Sequence, residues 1–310
     1  MASADGAESL GDGGKGRPTG SERSHSLETV CLEAMGRSGS CGWTRHSFVD
    51  HSRFYAEVLR ATIPLAVPQV KGIRKILDGA GIGPGSRILD IACGIGRHIV
   101  PLAMAGYETI GCDLSPGYIR DARRWARKEN LTLGQVKFYV ADYRTMAGTL
   151  RRAGERSFDA AICIAASMGY YGRRGDLAVL RGVRRLVRPS GLFILETVDR
   201  DAALHRFSES GVSRYPGNLE IHEQRAFHRK NSTVRSEWTF YRRGSGGHLR
   251  QLFKTKMAVR LYSRPELRDL FREAGWKCER FCGSLATLEP ASLESLHVVA
   301  VASRPHEHHH

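Results

Sequence analysis

The stretch that decides the fold reads Arg87-Ile88-Leu89-Asp90-Ile91-Ala92-Cys93-Gly94-Ile95-Gly96-Arg97-His98. Residues 88–91 form a short, mostly apolar run, which is typical of a buried strand. The run stops at Gly94 and Gly96, and a helical pattern begins directly after them. This order predicts a loop whose backbone N–H groups and helix N-terminus face a ligand. Glycine is required there because a Cβ atom would obstruct both the turn and the ligand.

The residues of the turn favour one class of ligand over another. A dinucleotide site has the pattern G-x-G-x-x-G, in which the third glycine lets the helix pack closely on the strand. Gly94 and Gly96 fit this pattern, but Ile99 occupies the third position. Asp90 lies on the strand just before the turn, where its carboxylate would repel a pyrophosphate and attract an ammonium group. The turn therefore favours a ligand that carries an ammonium group and no phosphate.

The segment Asp90-x-Ala92-Cys93-Gly94-x-Gly96-Arg97-His98 resembles the first motif of class I methyltransferases that depend on S-adenosylmethionine (SAM). Two later acids agree with this resemblance, because Asp113 follows a predicted strand at 108–112 and Asp142 follows another at 136–140. An acid about 20 residues after the glycine turn is placed to bind ribose hydroxyls. The resemblance implies that Asp142 pairs with the adenine amino group and that Tyr143 lies near the ring. It implies SAM as the cofactor, held by Tyr55, Asp90, Ala92, Cys93, Gly94, Gly96, His98, Asp113, Leu114, Asp142, Tyr143 and Ala165.

The rest of the pattern predicts an α/β protein. We expect a Rossmann-like class I methyltransferase sheet with helices on both faces, plus a small antiparallel β insertion after strand five. Apolar runs at 158–165 and 192–195 predict strands four and five, and Asp176 is placed to cap the helix between them. Extended segments at 221–227, 234–241 and 249–261 are joined by short turns, which implies antiparallel pairing. Ser263 and Glu266 form a capping box, and two last strands at 277–282 and 296–302 complete the sheet, the final one antiparallel.

The chain divides into three parts. Residues 1–40 are poor in apolar side chains and predict a disordered tail. Residues 41–304 form the expected methyltransferase domain, with a helical lid at 48–77 and the inserted sheet at 205–262. The lid is expected to break near Pro64 and Pro68. In the resembled family such a lid covers the cofactor, so His51 and Tyr55 are candidates to meet its methionyl end, with ordinary helix packing as the alternative. The histidines in 305–310 are typical of a purification-tag remnant.

The reaction itself forces few residues. Transfer of a methyl group from a sulfonium mainly requires aligned reactants and exclusion of water, and a base is needed only when the acceptor must lose a proton. Tyr170 and Tyr171 follow strand four and are catalytic candidates to orient the acceptor, or else they form a pocket wall. His228 and His222, on the insertion, are candidate bases, with half-buried packing as the alternative. Cationic substrates could be bound by acids after strand five, which could equally serve in capping and ion pairs: Glu196, Asp199 and Asp201.

Aromatic and basic side chains of the insertion suggest that it covers the acceptor pocket. Phe227, Trp238, Phe240, Tyr241 and Tyr262 would supply walls, and His228, Arg235 and Arg242 polar anchors. The segment 166–171 resembles small-molecule methyltransferases, not the Asn-Pro-Pro-Tyr type that acts on nucleic-acid bases. We therefore expect methyl transfer to N or O of a small molecule.

The composition of the chain limits the alternative locations and functions. The 310 residues are 41% hydrophobic and 25% charged, as in ordinary soluble proteins. With no apolar run of about 18 residues and no secretory signal, we expect a cytoplasmic protein without membrane partners. Lys and Arg total 47 against 32 Asp and Glu, a net charge of +15, which keeps RNA as an alternative substrate. Arginine is nevertheless scattered along the chain, and no known RNA-binding motif is found. A SAM-binding interaction protein without transfer activity is a further alternative.

The cysteines point to reduced thiols. There are seven, an odd number without framework spacing. Cys278 and Cys282 are the only close pair, and alternation would put both on one face of a strand. Because no second pair has metal-ligand spacing, we expect these two side chains to pack and bind no metal.

Overall fold

The computed structural model describes residues 42–306. The predicted tail at 1–40 and most of the histidine-rich end lie outside the described residues. The helices are α1 (Gly42–Arg45), α2 (Ser52–Ala61), α3 (Ile63–Asp78), α4 (Ile99–Met104), α5 (Pro116–Lys128), α6 (Met146–Arg152), α7 (Gly172–Arg184), α8 (Arg200–His205) and α9 (Arg264–Glu273), with a π-helical turn at His46–Asp50 and a 3-10 turn at Arg229–Asn231. The strands are β1 (Arg87–Ile91), β2 (Glu108–Asp113), β3 (Val136–Val140), β4 (Phe158–Cys163), β5 (Val187–Val198), β6 (Ser210–Tyr215), β7 (Leu219–His228), β8 (Thr233–Arg243), β9 (Leu249–Arg260), β10 (Lys277–Cys282) and β11 (His297–Ser303).

Seven strands form the central sheet, in the order β10-β11-β5-β4-β1-β2-β3. Strands β1 to β5 pair in parallel, while β11 runs antiparallel to both β5 and β10. The apolar runs read from the sequence are buried on both faces, because separate side-chain clusters cover the two sides of the sheet. The carboxyl ends of the parallel strands share one edge, where open α/β sheets bind ligands. The predicted α/β fold class is confirmed.

A second sheet of four antiparallel strands, β6-β7-β8-β9, follows strand five. One of its faces packs on α2 through Leu219, Ile221, Phe240 and Phe253, which meet Phe54 and Val58 in one buried cluster. Strand β6 was not predicted, because its sequence Ser-Gly-Val-Ser-Arg-Tyr has little apolar alternation and it forms an exposed edge. We call this four-stranded unit the inserted sheet.

The helical segment breaks near Pro64, as predicted, but it does not break near Pro68. The break falls at Thr62, between α2 and α3, where the Thr62 hydroxyl donates to the carbonyl oxygen of Leu59 at 3.0 Å. Pro64 lies in the first turn of α3, where a missing N–H is tolerated. Pro68 lies inside α3 and does not end it. The loss of one hydrogen bond is compensated there by a buried apolar face that includes Val70 and Ile73.

The side chains of Cys278 and Cys282 do not lie on the same face of β10, contrary to the prediction. A β-bulge between Cys278 and Arg280 shifts the register, so Cys278 pairs with Ala302 and Cys282 with Val299. The thiols then lie in different clusters, one on each side of the sheet. The bulge, which alternation alone does not reveal, therefore separates them. Both are free thiols.

Candidate active site

The glycine turn after β1 is left-handed at two positions. Gly94 has φ +56° and Gly96 has φ +88°. A Cβ atom on Gly96 would lie 3.1 Å from Val100 and 3.3 Å from Ala122, so this glycine lets α4 and α5 approach each other. A Cβ atom on Gly94 would meet only Leu59, at 3.4 Å. Gly94 therefore leaves room above the strand end for a ligand.

Asp113 at the end of β2 ties the turn together. Its carboxylate accepts hydrogen bonds from the backbone N–H of Gly94 at 2.9 Å and of Ser115 at 2.8 Å. Ser115 in turn caps α5, accepting from the N–H of Tyr118. Burial raises the pKa of Asp113 to about 6, although the two N–H donors act in the opposite direction. One carboxylate thus joins β1, β2 and the start of α5.

Asp90 is a buried carboxylate that lacks a full set of partners. It is 1% exposed, and its Oδ2 atom has no hydrogen-bond partner among the described residues. Burial raises its pKa well above the ordinary value, and the nearby Asp113 adds to the shift, while Arg97 opposes it. Arg97 instead donates to the Thr62 hydroxyl at 3.0 Å. A positively charged group bound beside the turn would stabilise the Asp90 carboxylate.

The other residues of the motif contribute mainly backbone. Ala92 adopts φ +58° just before the turn. The Cys93 side chain is buried, and a Cβ atom on Gly111 would lie 2.9 Å from its sulfur. Leu114 is half-buried directly after Asp113. Only main-chain atoms of Cys93 can therefore face a ligand.

A hydrogen-bond relay connects α3 with the ends of β4 and β5. The His98 Nε2 atom lies 2.9 Å from Oε1 of Gln69, and the Gln69 amide donates to Glu196 at 3.4 Å. Glu196 also accepts from the N–H of Ala165 at 3.0 Å. Burial lowers the pKa of His98 well below its ordinary value, so the imidazole is neutral and Nε2 is the donor. The relay holds Ala165 in its left-handed conformation, with φ +67°.

Asp142 and Tyr143 lie at the end of β3 beside Tyr171. Asp142 is held by Arg144 through contacts of 2.5–3.1 Å. The Arg144 guanidinium lies 3.8 Å from the centre of the Tyr171 ring, and the Tyr143 and Tyr171 rings are 5.4 Å apart. The Tyr143 hydroxyl is buried without a hydrogen-bond partner in the described part of the chain. Tyr171 therefore joins the predicted adenine side of the site.

Tyr170 lies in a separate group of rings. Trp43 contacts Tyr170 with ring centroids 5.0 Å apart, and Phe48 stacks on Tyr170 at 6.0 Å. Phe48 also contacts Tyr55 at 5.5 Å, and Tyr55 stacks on Trp238 at 6.0 Å. We call these five side chains the aromatic row. It connects the start of the described chain, the end of β4 and the inserted sheet. His51 lies apart from it, stacked on Phe253 at 4.4 Å.

Two members of the aromatic row carry unsatisfied donors. The indole nitrogens of Trp43 and Trp238 are buried and have no hydrogen-bond partner among residues 42–306. Burial also raises the pKa of Tyr55 and of Tyr170, so both phenols are neutral at physiological pH. The row therefore presents apolar ring faces together with donors that suit an oxygen atom of a ligand.

Asp176 fixes the loop that carries Tyr170. It was predicted as a helix cap, but it lies fully buried inside α7. Its carboxylate accepts from the N–H of Gly169 at 3.1 Å and from the Tyr262 hydroxyl at 2.6 Å. The carbonyl of Gly169 accepts from the N–H of Arg260 at 2.9 Å. Helix α7 begins earlier than the sequence suggested, which places Asp176 opposite this loop.

The structure does not bring His228 to the aromatic row. Cross-strand pairs share a face, and His222 pairs with Thr239 while His228 pairs with Thr233. Side chains alternate between the two faces of a strand, so Trp238 and Phe240 lie on the face opposite to Thr239, which is the face that packs on α2. His228 therefore lies on the outer face, with the side chains of the other predicted base and of two predicted pocket residues: His222, Arg235 and Tyr241.

The acids after β5 are already engaged. Asp199 caps α8 by accepting from the N–H of Asp201 at 2.9 Å, and it pairs with Arg264 at 3.1 Å. Asp201 pairs with Arg200. These contacts support the capping and ion-pair interpretation. Gln69 was not predicted, because its partners lie 29 and 127 residues away in sequence.

The sheet order, the glycine turn and the three acids at the ends of β1, β2 and β3 define the class I SAM-dependent methyltransferase fold. Residues 88–191 match the family described as methyltransferase domain. The ubiquinone biosynthesis O-methyltransferase of Cereibacter sphaeroides (strain ATCC 17029 / ATH 2.4.9) is 39% identical over 119 residues, which cover 38% of this chain and 43% of that protein. The chain thus matches less than half of that relative's length.

Solved structures of other proteins superimpose on this chain and share its fold. A SAM-dependent methyltransferase from Clostridium acetobutylicum ATCC 824 superimposes with a TM-score of 0.67 at 15% identity, covering 83% of this chain and 98% of that one. The sugar N-methyltransferase KedS8 from Streptoalloteichus sp ATCC 53650 has a TM-score of 0.57 at 17% identity, covering 97% of this chain and 100% of that one. The resemblance read from the sequence is confirmed. No helix within residues 42–306 is long and apolar enough to cross a membrane.

Proposed function

We propose that this protein transfers the methyl group of SAM to a nitrogen or oxygen atom of a small molecule. The observation that carries the proposal is the open glycine turn at Gly94 beside the under-partnered carboxylate of Asp90. A methionyl chain fits the open side of the turn, and its ammonium group is the cation that Asp90 lacks. Two similar proteins, an O-methyltransferase and a sugar N-methyltransferase, support the same class of reaction.

The neighbouring residues fit the rest of the cofactor. Asp113 uses two acceptor positions for backbone N–H groups. A carboxylate has about four such positions, so it can still accept from ribose hydroxyls. Asp142 and Tyr143 would hold the adenine, and the unpartnered Tyr143 hydroxyl is available to a ring nitrogen. Bound SAM would supply a methyl group made electrophilic by the sulfonium.

The chain then aligns the acceptor and excludes water. Tyr170 follows β4, and the Asp176 carboxylate and Arg260 backbone hold its loop in place. Because Tyr55 and Tyr170 are neutral, they would donate hydrogen bonds and would not act as bases at physiological pH. This arrangement suits an acceptor that is already nucleophilic, such as a neutral amine or a readily ionised phenol. His228 has no part in this proposal.

The aromatic row supports a small, ring-containing acceptor. Stacked rings favour flat or ring-shaped molecules, and the indole N–H groups of Trp43 and Trp238 favour oxygen atoms on them. An unsatisfied buried donor costs about 1–3 kcal/mol, so an acceptor that satisfies both would bind more tightly. The inserted sheet supplies Trp238, which agrees with a role for that sheet in acceptor choice.

The proposal is tested first by cofactor binding. Calorimetry with S-adenosylhomocysteine should show binding to the wild type and none to Gly94→Val, because the new side chain would fill the open side of the turn. Gly81→Val is the matched control. Gly81 has a similar φ of +71° with nothing within 4 Å, so it shares the backbone strain but not the site. Equal binding by wild type and Gly94→Val would refute the proposed cofactor site.

The second test is turnover. Wild-type protein is incubated with methyl-labelled SAM and a mixture of phenols and amino sugars, and labelled products are identified by mass spectrometry. A labelled small-molecule product is expected. Transfer only to RNA added in parallel would replace the small-molecule proposal. Cofactor binding without turnover on any acceptor would indicate an interaction protein instead.

A further inference from the structure

Five arginines surround a groove at the other edge of the central sheet. The groove has a volume of about 480 Å³ and lies where β4 and β5 begin and where β11 ends. It is therefore at the edge opposite the glycine turn. No acidic residue between 42 and 306 lines it, and the arginines are Arg151, Arg156, Arg185, Arg188 and Arg304.

Two of these arginines are fixed by the surrounding chain. The Arg304 guanidinium donates to the carbonyl oxygens of Arg184 at 2.8 Å and Val187 at 2.7 Å. Arg188 donates to Asp159 at 2.6 Å. Their charges are thus held at the groove before any ligand arrives, which lowers the entropy lost on binding.

The other three arginines have no acidic partner in the described part of the chain. Within residues 42–306, Arg151, Arg156 and Arg185 form no ion pair, and all three are exposed. Within residues 42–306, these three arginines therefore bring to the groove three positive charges that no ion pair offsets. Such a surplus on a concave surface attracts anions.

We propose that this groove binds a phosphate-bearing ligand. Guanidinium groups match phosphate oxygens with paired N–H donors, and here they converge from three separate segments of the chain. The net charge of +15 agrees with an anionic partner. The groove and the proposed methyltransferase site lie at different edges of the sheet, so this site is independent of the proposed reaction.

The experiment uses two probes, pyrophosphate and a fluorescently labelled single-stranded oligoribonucleotide. Pyrophosphate is measured by calorimetry and the oligoribonucleotide by fluorescence anisotropy over a range of salt concentrations. The test variant carries Arg151→Gln, Arg156→Gln and Arg185→Gln. The control carries Arg120→Gln, Arg127→Gln and Lys128→Gln, which remove the same charge from exposed positions on α5. Thermal unfolding verifies that both variants are folded.

The groove variant should bind at least about tenfold more weakly, while the control keeps wild-type affinity. If the oligoribonucleotide is the ligand, its salt slope should fall by about two in the groove variant, since three phosphate contacts are lost. Binding of pyrophosphate with the same variant effect identifies a small phosphate ligand. Binding of the oligoribonucleotide alone identifies a nucleic acid. The proposal is overturned if neither probe binds or if both variants weaken binding equally.

Discussion

The sharpest prediction concerns Asp113→Ala. This change removes the carboxylate that accepts from the N–H groups of Gly94 and Ser115 at 2.9 and 2.8 Å. It also removes the group proposed to accept from the ribose hydroxyls. The loss of the charge-assisted ribose contacts should cost about 2–4 kcal/mol. That corresponds to about 30-fold to 700-fold weaker binding of S-adenosylhomocysteine.

The stability of the free protein should change much less. Two backbone N–H groups lose their partner, at about 1–3 kcal/mol each. Against this, the variant no longer buries a carboxylate whose pKa is raised from 3.8 to about 6, a shift that corresponds to about 3 kcal/mol at neutral pH. These effects offset each other in large part. A large loss of affinity with a small change in stability is therefore the expected signature.

Calorimetry with S-adenosylhomocysteine measures the affinity, and urea unfolding of the free protein measures the stability. Asp121→Ala on α5 is a suitable control, since it removes a carboxylate that pairs with Arg60 and Arg124 on the surface. The control should retain cofactor affinity. Unchanged affinity in Asp113→Ala would refute the assignment of this residue to the cofactor, whatever happens to stability.

Three further predictions test the surroundings of Tyr170 and the aromatic row. Asp176→Asn should make the free energy of unfolding less dependent on pH, because burial raises the pKa of Asp176 in the folded protein from 3.8 to about 6. As pH rises from about 4 to about 7, the wild type should lose about 3 kcal/mol of unfolding free energy relative to the variant. Urea unfolding that gives the same pH dependence for both proteins would contradict this. Gly169→Ala should lower the free energy of unfolding by about 2–4 kcal/mol, because the new Cβ atom would lie 2.1 Å from the carbonyl oxygen of Arg260. The control Gly81→Ala places its Cβ atom in open space and should lower the free energy of unfolding by only about 1–2 kcal/mol. Trp238→Phe should leave the free protein at least as stable, since a buried unsatisfied N–H is removed. In steady-state kinetics it should raise KM for the acceptor about tenfold, which corresponds to about 1.4 kcal/mol. An unchanged KM would show that this indole does not bind the acceptor.

The proposed cofactor side of the fold was predictable because its signals are local in sequence. Gly94 lies four residues after Asp90, and Asp113 directly follows the apolar strand that carries it to the same sheet edge. A buried strand, a glycine turn and an acid at a strand end each leave a short pattern. The first motif could therefore be positioned without any knowledge of distant contacts.

The proposed acceptor side was less predictable because it depends on long-range contacts. Asp176 meets Tyr262 across 86 residues, and no local pattern distinguishes that role from helix capping. The position of His228 was different, since alternation already separates it from its neighbour Phe227. What the sequence lacked was which face of the inserted sheet would pack on α2. That choice depends on the apolar side chains of another segment of the chain.

The way the inserted sheet is attached to the central domain affects how such proteins can evolve. The chain leaves the central domain at Asp199 and returns at Tyr262, and these two residues form a parallel bridge. The N–H of Arg200 donates to the carbonyl of Tyr262 at 3.0 Å, so the two ends are adjacent. Everything between them can be exchanged for a segment from a homologous chain with little rearrangement at the junction. Because the proposed cofactor residues all precede residue 166, we expect an exchange at these two adjacent junctions to alter the proposed acceptor preference while the proposed methyl donor stays the same.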